Sequence, residues 1–183
     1  APATPPSVTT DAMYIPGHFA ETRPEELHRV ITEHPLGALV HEGPNGLDAN
    51  HIPFLLDANR GPHGTLLAHV ARNNVMWQEV QDGDAVLVIF RAANAYISPN
   101  WYETKSNAVP TWNFAVVHAT GRPKPISEKK ALHDLLARLI AKFENYKETG
   151  YDFARLPESY KYGLMEGILG FEMEIEQLEG KFK

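Results

Sequence analysis

The chain has 183 residues, of which 43% are hydrophobic and 22% are charged, as is typical of one soluble globular domain with a real core. Seventeen basic and twenty-three acidic side chains give a formal net charge of -6, which argues against a broad positive surface for nucleic acid. The absence of cysteine excludes disulfides, thiolate metal sites and cysteine nucleophiles, and a reducing cytoplasm is the simplest setting.

The first twelve residues, APATPPSVTTDA, predict a flexible leader because they are small and proline-rich. They lack the positive and apolar regions of a secretory signal. No apolar run approaches the roughly 20 residues that span a bilayer, so we expect no membrane segment. Ordered structure is expected to begin at Met13, with residues 13–183 forming a single domain.

The first predicted element is a helix over residues 24–34. Thr22 to Glu25 reads TRPE, a capping-box pattern with proline in the first turn, and apolar residues follow at helical spacing. Shorter segments follow, and they alternate apolar stretches with turn residues in the manner of an antiparallel meander. They read LGALVHE, LDANHIPFLLD and TLLAHVA, separated by GPNG and ANRGPHG.

A short helix at NNVMWQEV precedes three predicted strands, DAVLVIF, NAYIS and TWNFAVVHATGRP. After Pro125 the apolar period becomes helical, with Ser127 as a plausible N-cap and an apolar stripe that ends at Phe143. A shorter helix is expected from about Pro157, with Tyr160, Leu164 and Met165 facing inward, before a last strand at ILGFEMEIEQL. These elements predict a β-rich α+β fold, a barrel or sandwich with peripheral helices.

Several motifs of catalytic sites are missing from the sequence. There is no P-loop, no dinucleotide fingerprint, no HExxH and no G-x-S-x-G elbow. Nine histidines invite a metal hypothesis, and His51, His69 and His118 fall on predicted strands. None is spaced like a known ligand pair, so we expect structural or ligand-contacting histidines and no metal site.

Polar residues cluster at the ends of three predicted strands, ANHIPF, AHVARNN and VPTWNF. The residues are Asn50, His51, His69, Arg72, Asn73, Thr111 and Asn113. Buried strands are normally apolar throughout or alternate, so these donors indicate a site for an anion and a heterocycle.

Arg72 has the charged fork that suits a phosphate, although a surface ion pair is the alternative, and Lys105 adds a second positive charge. Trp101, Tyr102 and Trp112 offer rings that could pack beside a planar ligand, although Trp112 fits a core or a dimer interface better. The residues alone predict a β-barrel with a site for an aromatic phosphate.

Six segments of the sequence match the pattern of one known family. They read MYIPGHF, ANHIPF, AHVARNN, YISPNWY, VPTWNFAVVHATG and LEGKFK. On these segments the chain resembles the PaiB-type family of FMN-binding split-barrel proteins, which are described as negative transcriptional regulators of protease synthesis and sporulation. One departure is ARNNV, where Val75 replaces a usual proline and could shift the start of the following helix.

The resemblance implies a homodimeric split β-barrel that binds FMN at the subunit interface, with residues from both chains in each site. It places the phosphate at His69, Arg72 and Asn73. It places Asn50, His51 and Pro53 beside the isoalloxazine. The remaining residues would line the site from the same or the partner chain: Ser98, Trp101, Tyr102, Lys105, Thr111, Trp112 and Asn113.

Three functions stay open at this point. An FMN-dependent oxidoreductase would use His51 or His118 as a proton donor. A repressor of the PaiB type would act on transcription, but the sequence has no helix-turn-helix signature and DNA binding has weak support. Its basic cluster is modest and consists of Arg122, Lys124, Lys129 and Lys130. A haem-binding split barrel would use a histidine as iron ligand.

Overall fold

We describe the protein from a computed structural model, which covers residues 13–80, 83–104, 107–144 and 146–183. The expected leader at residues 1–12 and the candidate Lys105 lie outside the described residues. The strands are β1 (Ala20–Glu21), β2 (Leu36–Gly43), β3 (Gly46–Pro53), β4 (Leu55–Asp57), β5 (Thr65–Ala71), β6 (Val86–Ile97), β7 (Thr111–Pro125) and β8 (Ile168–Phe182). The helices are α1 (Pro24–Glu33), α2 (Met76–Glu79), α3 (Lys129–Phe143), α4 (Tyr146–Thr149) and α5 (Glu158–Met165).

The described strands form one antiparallel sheet in the order β3-β2-β6-β7-β8-β5-β4, and β1 pairs with β8. The sheet curls so that β3 approaches β5, and α1 packs against β4, β6, β7 and β8. The inward residues of the strands are buried in one apolar cluster, with Phe54 edge-on to both Phe90 and Phe171. The fold is a split β-barrel, which confirms the predicted fold class.

The hairpin formed by β6 and β7 extends beyond the rest of the sheet. β2 pairs with β6 only from Leu87 to Ile89, whereas β6 pairs with β7 as far as Ile97. The register shifts between Arg91 and Asn94, which is typical of a β-bulge. We call the projecting part, residues 92–104 and 107–114, the hairpin arm. The sequence analysis predicted two strands where the structure has the single strand β6.

Both expected helix caps are wrong by one residue. α1 begins after Arg23, not Thr22, and α3 begins after Glu128, not Ser127; neither cap residue makes a side-chain cap hydrogen bond. Arg23 and Glu128 both have extended backbone angles, so each is the last non-helical residue. Pro24 sets the start of α1 because proline suits the first helical position.

The inward face of α5 also differs from the prediction. Met165 is buried as expected, but Tyr160 and Leu164 are both 56% exposed. Lys161 is buried in their place, with its ammonium group 3.5 Å from Glu158 and 5.5 Å from the centre of the Phe153 ring. Its aliphatic stem can be buried because its charged end keeps an acidic and an aromatic partner.

Among the described residues, no helix is both long and apolar enough to cross a membrane.

Candidate functional site

The end of β3 is joined to the start of α2 by a pair of side-chain amides. Asn74 Nδ2 donates to Asn50 Oδ1 at 2.9 Å, and Asn74 Oδ1 accepts a hydrogen bond from the Met76 backbone at 2.9 Å. Asn50 is therefore held in place by Asn74, a residue that the sequence analysis did not select. The neighbouring Asn73, which it did select, is exposed. The sequence signal for Asn74 is the pair of asparagines before a helix. Asparagine side chains commonly accept hydrogen bonds from backbone N–H groups at the start of a helix.

Arg72 is bound to the turn between α5 and β8. Its Nε donates to the carbonyl oxygen of Glu166 at 2.6 Å and its Nη2 to that of Ile168 at 2.9 Å. The ion-pair alternative does not describe this arrangement, since the partners are backbone carbonyls and not a carboxylate. A guanidinium has five N–H groups, so these two bonds leave three for a phosphate. The side chain is exposed, so a ligand can reach it.

His69 lies on β5 opposite Gly170, on the strand face that also carries Leu67. Its Nδ1 is buried and has no hydrogen-bond partner among the described residues. Burial lowers the pKa of His69, because the charged imidazolium loses its hydration. The ring is therefore neutral at pH 7, and its Nδ1 is a free donor or acceptor at the edge of the site.

The aromatic candidates lie on the hairpin arm. Trp112 stands edge-on to Tyr96 across the β6–β7 ladder, with ring centroids 6.2 Å apart. Trp101 is 68% exposed, Trp112 54% and Tyr102 51%, so none of them belongs to the core of this chain. Large exposed rings in a group indicate a binding surface.

Polar candidates frame these rings. Ser98 caps the 3-10 turn Pro99–Trp101 by accepting a hydrogen bond from the Asn100 backbone at 3.2 Å. Thr111 accepts a hydrogen bond from the Lys183 ammonium group, and Asn113 is exposed beside it on β7. The arm therefore exposes rings and polar groups, and the capped turn at Pro99–Trp101 stabilises its backbone.

The candidates form two groups, a polar group at the ends of β3 and β5 and a second group on the hairpin arm. His69 lies opposite Gly170 on β8, whereas Ala115, next to the arm, lies opposite Phe182. From Gly170 to Phe182 the strand path is roughly 40 Å at about 3.3 Å per residue. His69 and the start of the arm therefore lie at opposite ends of β8.

His51 and Pro53 lie on a surface that faces away from the core, which we call the outer face. Residues directly opposite one another in a ladder share one face of a sheet. The outer face contains Leu36, Ala38, Val40, Glu42, Leu47, Ala49, His51, Pro53, Leu87, Ile89, His118, Thr120, Gln177 and Glu179. Leu36 is 60% exposed and Leu47 is 79% exposed, so the apolar part of this face is open to solvent at these residues.

His118 and Glu179 lie opposite each other on this outer face. Burial lowers the pKa of His118, and the charge of Glu179 opposes the shift in part. The imidazole is therefore neutral at pH 7 while lying beside a carboxylate, an arrangement that suits proton transfer.

The sequence matches the family described as "Putative FMN-binding domain" over residues 13–177. The chain belongs to this family. The FMN-binding domain match confirms the resemblance inferred from the six sequence segments, and it spans both groups of candidate residues.

Among the similar proteins, one has a name that refers to a biological role and another is uncharacterised. "Protease synthase and sporulation protein PAI 2" of Bacillus subtilis is 29% identical over 171 residues, or 93% of this chain and 81% of that protein. The uncharacterised protein YKL070W of Saccharomyces cerevisiae is 32% identical over 158 residues, or 74% of this chain and 90% of that protein.

Solved structures share the fold at low identity. The flavocytochrome Anf3 from Azotobacter vinelandii has a TM-score of 0.72 and 11% identity, and the alignment covers 95% of this chain and 74% of that one. The FAD and haem binding protein from Mycobacterium smegmatis has a TM-score of 0.67 and 16% identity, with 90% and 73% covered. The family and the fold together support flavin binding.

Proposed function

We propose that the protein is a homodimer that binds FMN at the interface between its two chains. The outer face is the observation that carries this proposal. Monomeric proteins rarely leave a contiguous apolar surface open to solvent, and such surfaces mark interaction sites. A second copy seated there would cover Leu36, Leu47 and Ile89 and would bring the hairpin arm of one chain toward the polar group of the other.

The candidate residues include groups for each part of FMN: the phosphate, the isoalloxazine ring and its polar edge. Arg72 retains N–H groups for the phosphate, and Asn73 beside it is exposed and can donate as well. Trp101, Tyr102 and Trp112 offer apolar ring surface for an isoalloxazine, which is itself flat and aromatic. Asn50 and His51 at the end of β3 supply polar groups for the heterocycle edge. When bound, the flavin supplies redox chemistry, and this chain supplies binding, orientation and exclusion of water.

The proposal also includes a regulatory role of the PaiB type for this protein. Its support is the resemblance together with the relative from Bacillus subtilis, whose name refers to protease synthesis and sporulation. Direct DNA binding has little support as the mechanism of regulation, because two residues of the basic cluster are neutralised in ion pairs. Arg122 is paired with Glu176 and Lys130 with Asp134. The flavin state of the dimer is therefore the better candidate for the regulatory signal.

An FMN-dependent oxidoreductase is the second candidate, and the pairing of His118 with Glu179 favours it. A neutral imidazole beside a carboxylate can hold a proton at one ring nitrogen and release it to a reduced acceptor nearby. Oxidation of a reduced nicotinamide in the presence of FMN, lost in His118→Gln, would support this candidate.

The decisive experiment is a visible absorption spectrum of the purified, untagged protein, repeated after FMN is added and excess FMN is removed by gel filtration. Flavin bands that co-elute with a dimer are the expected result. A dimer that retains no FMN would refute the cofactor, and a monomer that retains FMN would refute the shared interface. Haem added in place of FMN serves as the comparison ligand.

A further inference from the structure

His41 is a buried polar residue that the flavin proposal does not use. It lies on β2, only 3% exposed, and its Nε2 is 2.9 Å from Glu79 Oε2. Its Nδ1 is buried and has no hydrogen-bond partner among the described residues. An imidazole placed in the interior with one free nitrogen costs stability unless another group compensates.

Two carboxylates converge on this imidazole from different elements. Asp48 lies directly opposite His41 in the β2–β3 ladder, and Glu79 is the last residue of α2. One ligand atom from each of the three residues lies within 4.8 Å of the others. Residues from two strands and a helix therefore meet at one point, outside every position assigned to the flavin.

The backbone provides room for the Glu79 carboxylate. A Cβ at Gly43 would lie 2.7 Å from Glu79 Oε2. A side chain at position 43 would therefore require the end of the Glu79 side chain to shift from its present position beside His41. This requirement is independent of the turn at Gly46, which has its own positive φ of 104°.

We propose that His41 Nε2, Asp48 and Glu79 bind a divalent first-row transition-metal ion such as Zn²⁺. Nε2 is the ring nitrogen that faces Glu79, and the free Nδ1 takes no part in the site. Imidazole nitrogen and carboxylate oxygen are both zinc ligands at about 2.0–2.2 Å, and two ligands of one ion lie at most roughly 4 Å apart. Asp48 is exposed, so its side chain can close the remaining gap without disturbing the core. Three protein ligands leave a fourth position for water.

A hydrogen bond between His41 and Glu79 alone would join α2 to β2 and would leave Asp48 without a role. A second carboxylate next to Glu79 adds repulsion, and a cation between them removes it. The mixed nitrogen and oxygen ligands favour a transition metal over Mg²⁺, which prefers oxygen and retains its waters. The sequence predicts no metal site because none of its histidines is spaced like a known ligand pair.

Calorimetric titration of the untagged, chelator-treated full chain with Zn²⁺ tests the proposal, with Mg²⁺ as the comparison ion. We expect one Zn²⁺ per chain and no saturable Mg²⁺ binding. Asp48→Asn should weaken Zn²⁺ binding at least tenfold, because it removes an exposed ligand and leaves the bond between His41 and Glu79 intact. Glu42→Gln is the matched control: it also removes one negative charge, from an exposed residue next to His41 on β2.

Absence of saturable Zn²⁺ binding in the wild type would overturn the proposal. Equal weakening in Asp48→Asn and Glu42→Gln would also overturn it, since the ion would then respond only to surface charge. Circular dichroism of both variants establishes that they are folded. The metal content can be counted whether or not FMN is bound, so the result is independent of the flavin proposal.

Discussion

Arg72 donates a hydrogen bond from Nε to the carbonyl oxygen of Glu166 at 2.6 Å, although the two residues are 94 positions apart. The Arg72 backbone N–H also donates to the Gly167 carbonyl oxygen at 2.9 Å. The guanidinium thus joins the end of β5 to the turn between α5 and β8. Arg72, a candidate for phosphate binding or for a surface ion pair on sequence grounds, therefore stabilises the fold at that point.

Replacing Arg72 by alanine should affect both roles. We expect FMN affinity to fall about tenfold or more, because a charge-assisted contact contributes roughly 1.5–3 kcal/mol. The free energy of unfolding should fall by about 1–2 kcal/mol as two carbonyl oxygens lose their donor. Fluorescence titration with FMN and urea denaturation measure the two effects separately.

Arg60→Ala is the control for this substitution, since Arg60 is an exposed arginine paired with Glu172 at 2.9 Å. It should change FMN affinity little. Unchanged FMN affinity in Arg72→Ala would remove this residue from the phosphate site, whatever its effect on unfolding.

A charge in the middle of the outer face should prevent dimer formation. Ile89→Asp places an unpaired carboxylate where the proposed interface is apolar, at a cost of several kcal/mol. We expect a folded monomer with much weaker FMN binding, as seen by sedimentation and by the flavin spectrum. Leu164→Asp on α5 is the control, because Leu164 is an equally apolar residue, 56% exposed, outside the outer face. An Ile89→Asp protein that remains dimeric would contradict the proposed interface.

Trp112 should contribute to FMN binding and little to folding. Its ring is 54% exposed and touches Tyr96 edge-on, so Trp112→Ala removes little core packing. Loss of aromatic contact with a flavin should weaken binding by about 1 kcal/mol or more, roughly fivefold. Titration with FMN, followed by flavin fluorescence, measures this change. Tyr160→Ala removes a similarly exposed ring on α5 and should leave binding as it was.

Acid should destabilise the protein through two histidines. Burial lowers the pKa of His69 and of His118 below the ordinary value of 6.5. As pH falls through 6.5, the two histidines bind protons in the unfolded state but not yet in the folded state. The free energy of unfolding therefore decreases. The loss continues until the pH reaches the lowered folded pKa. Urea denaturation at pH 7.5, 6.5 and 5.5 should show this decrease.

The substitutions His69→Gln and His118→Gln should each reduce the pH dependence. A pH dependence that survives both substitutions would assign the effect to other groups.

Most of the secondary structure could be predicted because apolar periodicity reports which side of an element is buried. The helix at Pro24–Glu33 and the meander from Leu36 to Ala71 follow directly from that pattern. The first residue of each helix could not be predicted in the same way. Thr22 and Ser127 are good capping residues, but the backbone turns one residue later, where no side chain bonds the helix start.

The sequence could select residue types for the candidate site but not their arrangement. Donors and rings stand out as residue types, yet nothing local indicates that His69 and the strand next to the arm would pair with opposite ends of β8. Arg72 was selected for its charge, whereas its carbonyl partners come from a turn distant in sequence. The cluster of His41, Asp48 and Glu79 was missed because it depends on strand register and on α2, and these are tertiary features.

β8 is the last strand of the described chain, and it pairs with β1, β5 and β7. During synthesis, the barrel can therefore close only after residues 168–182 have left the ribosome. Until then, the edges of β5 and β7 lack their partner, and unpaired strand edges invite association with other chains. Contacts so distant in sequence also make folding slow. Production of this protein in cells should accordingly benefit from low temperature and from chaperones that protect the chain until β8 is made.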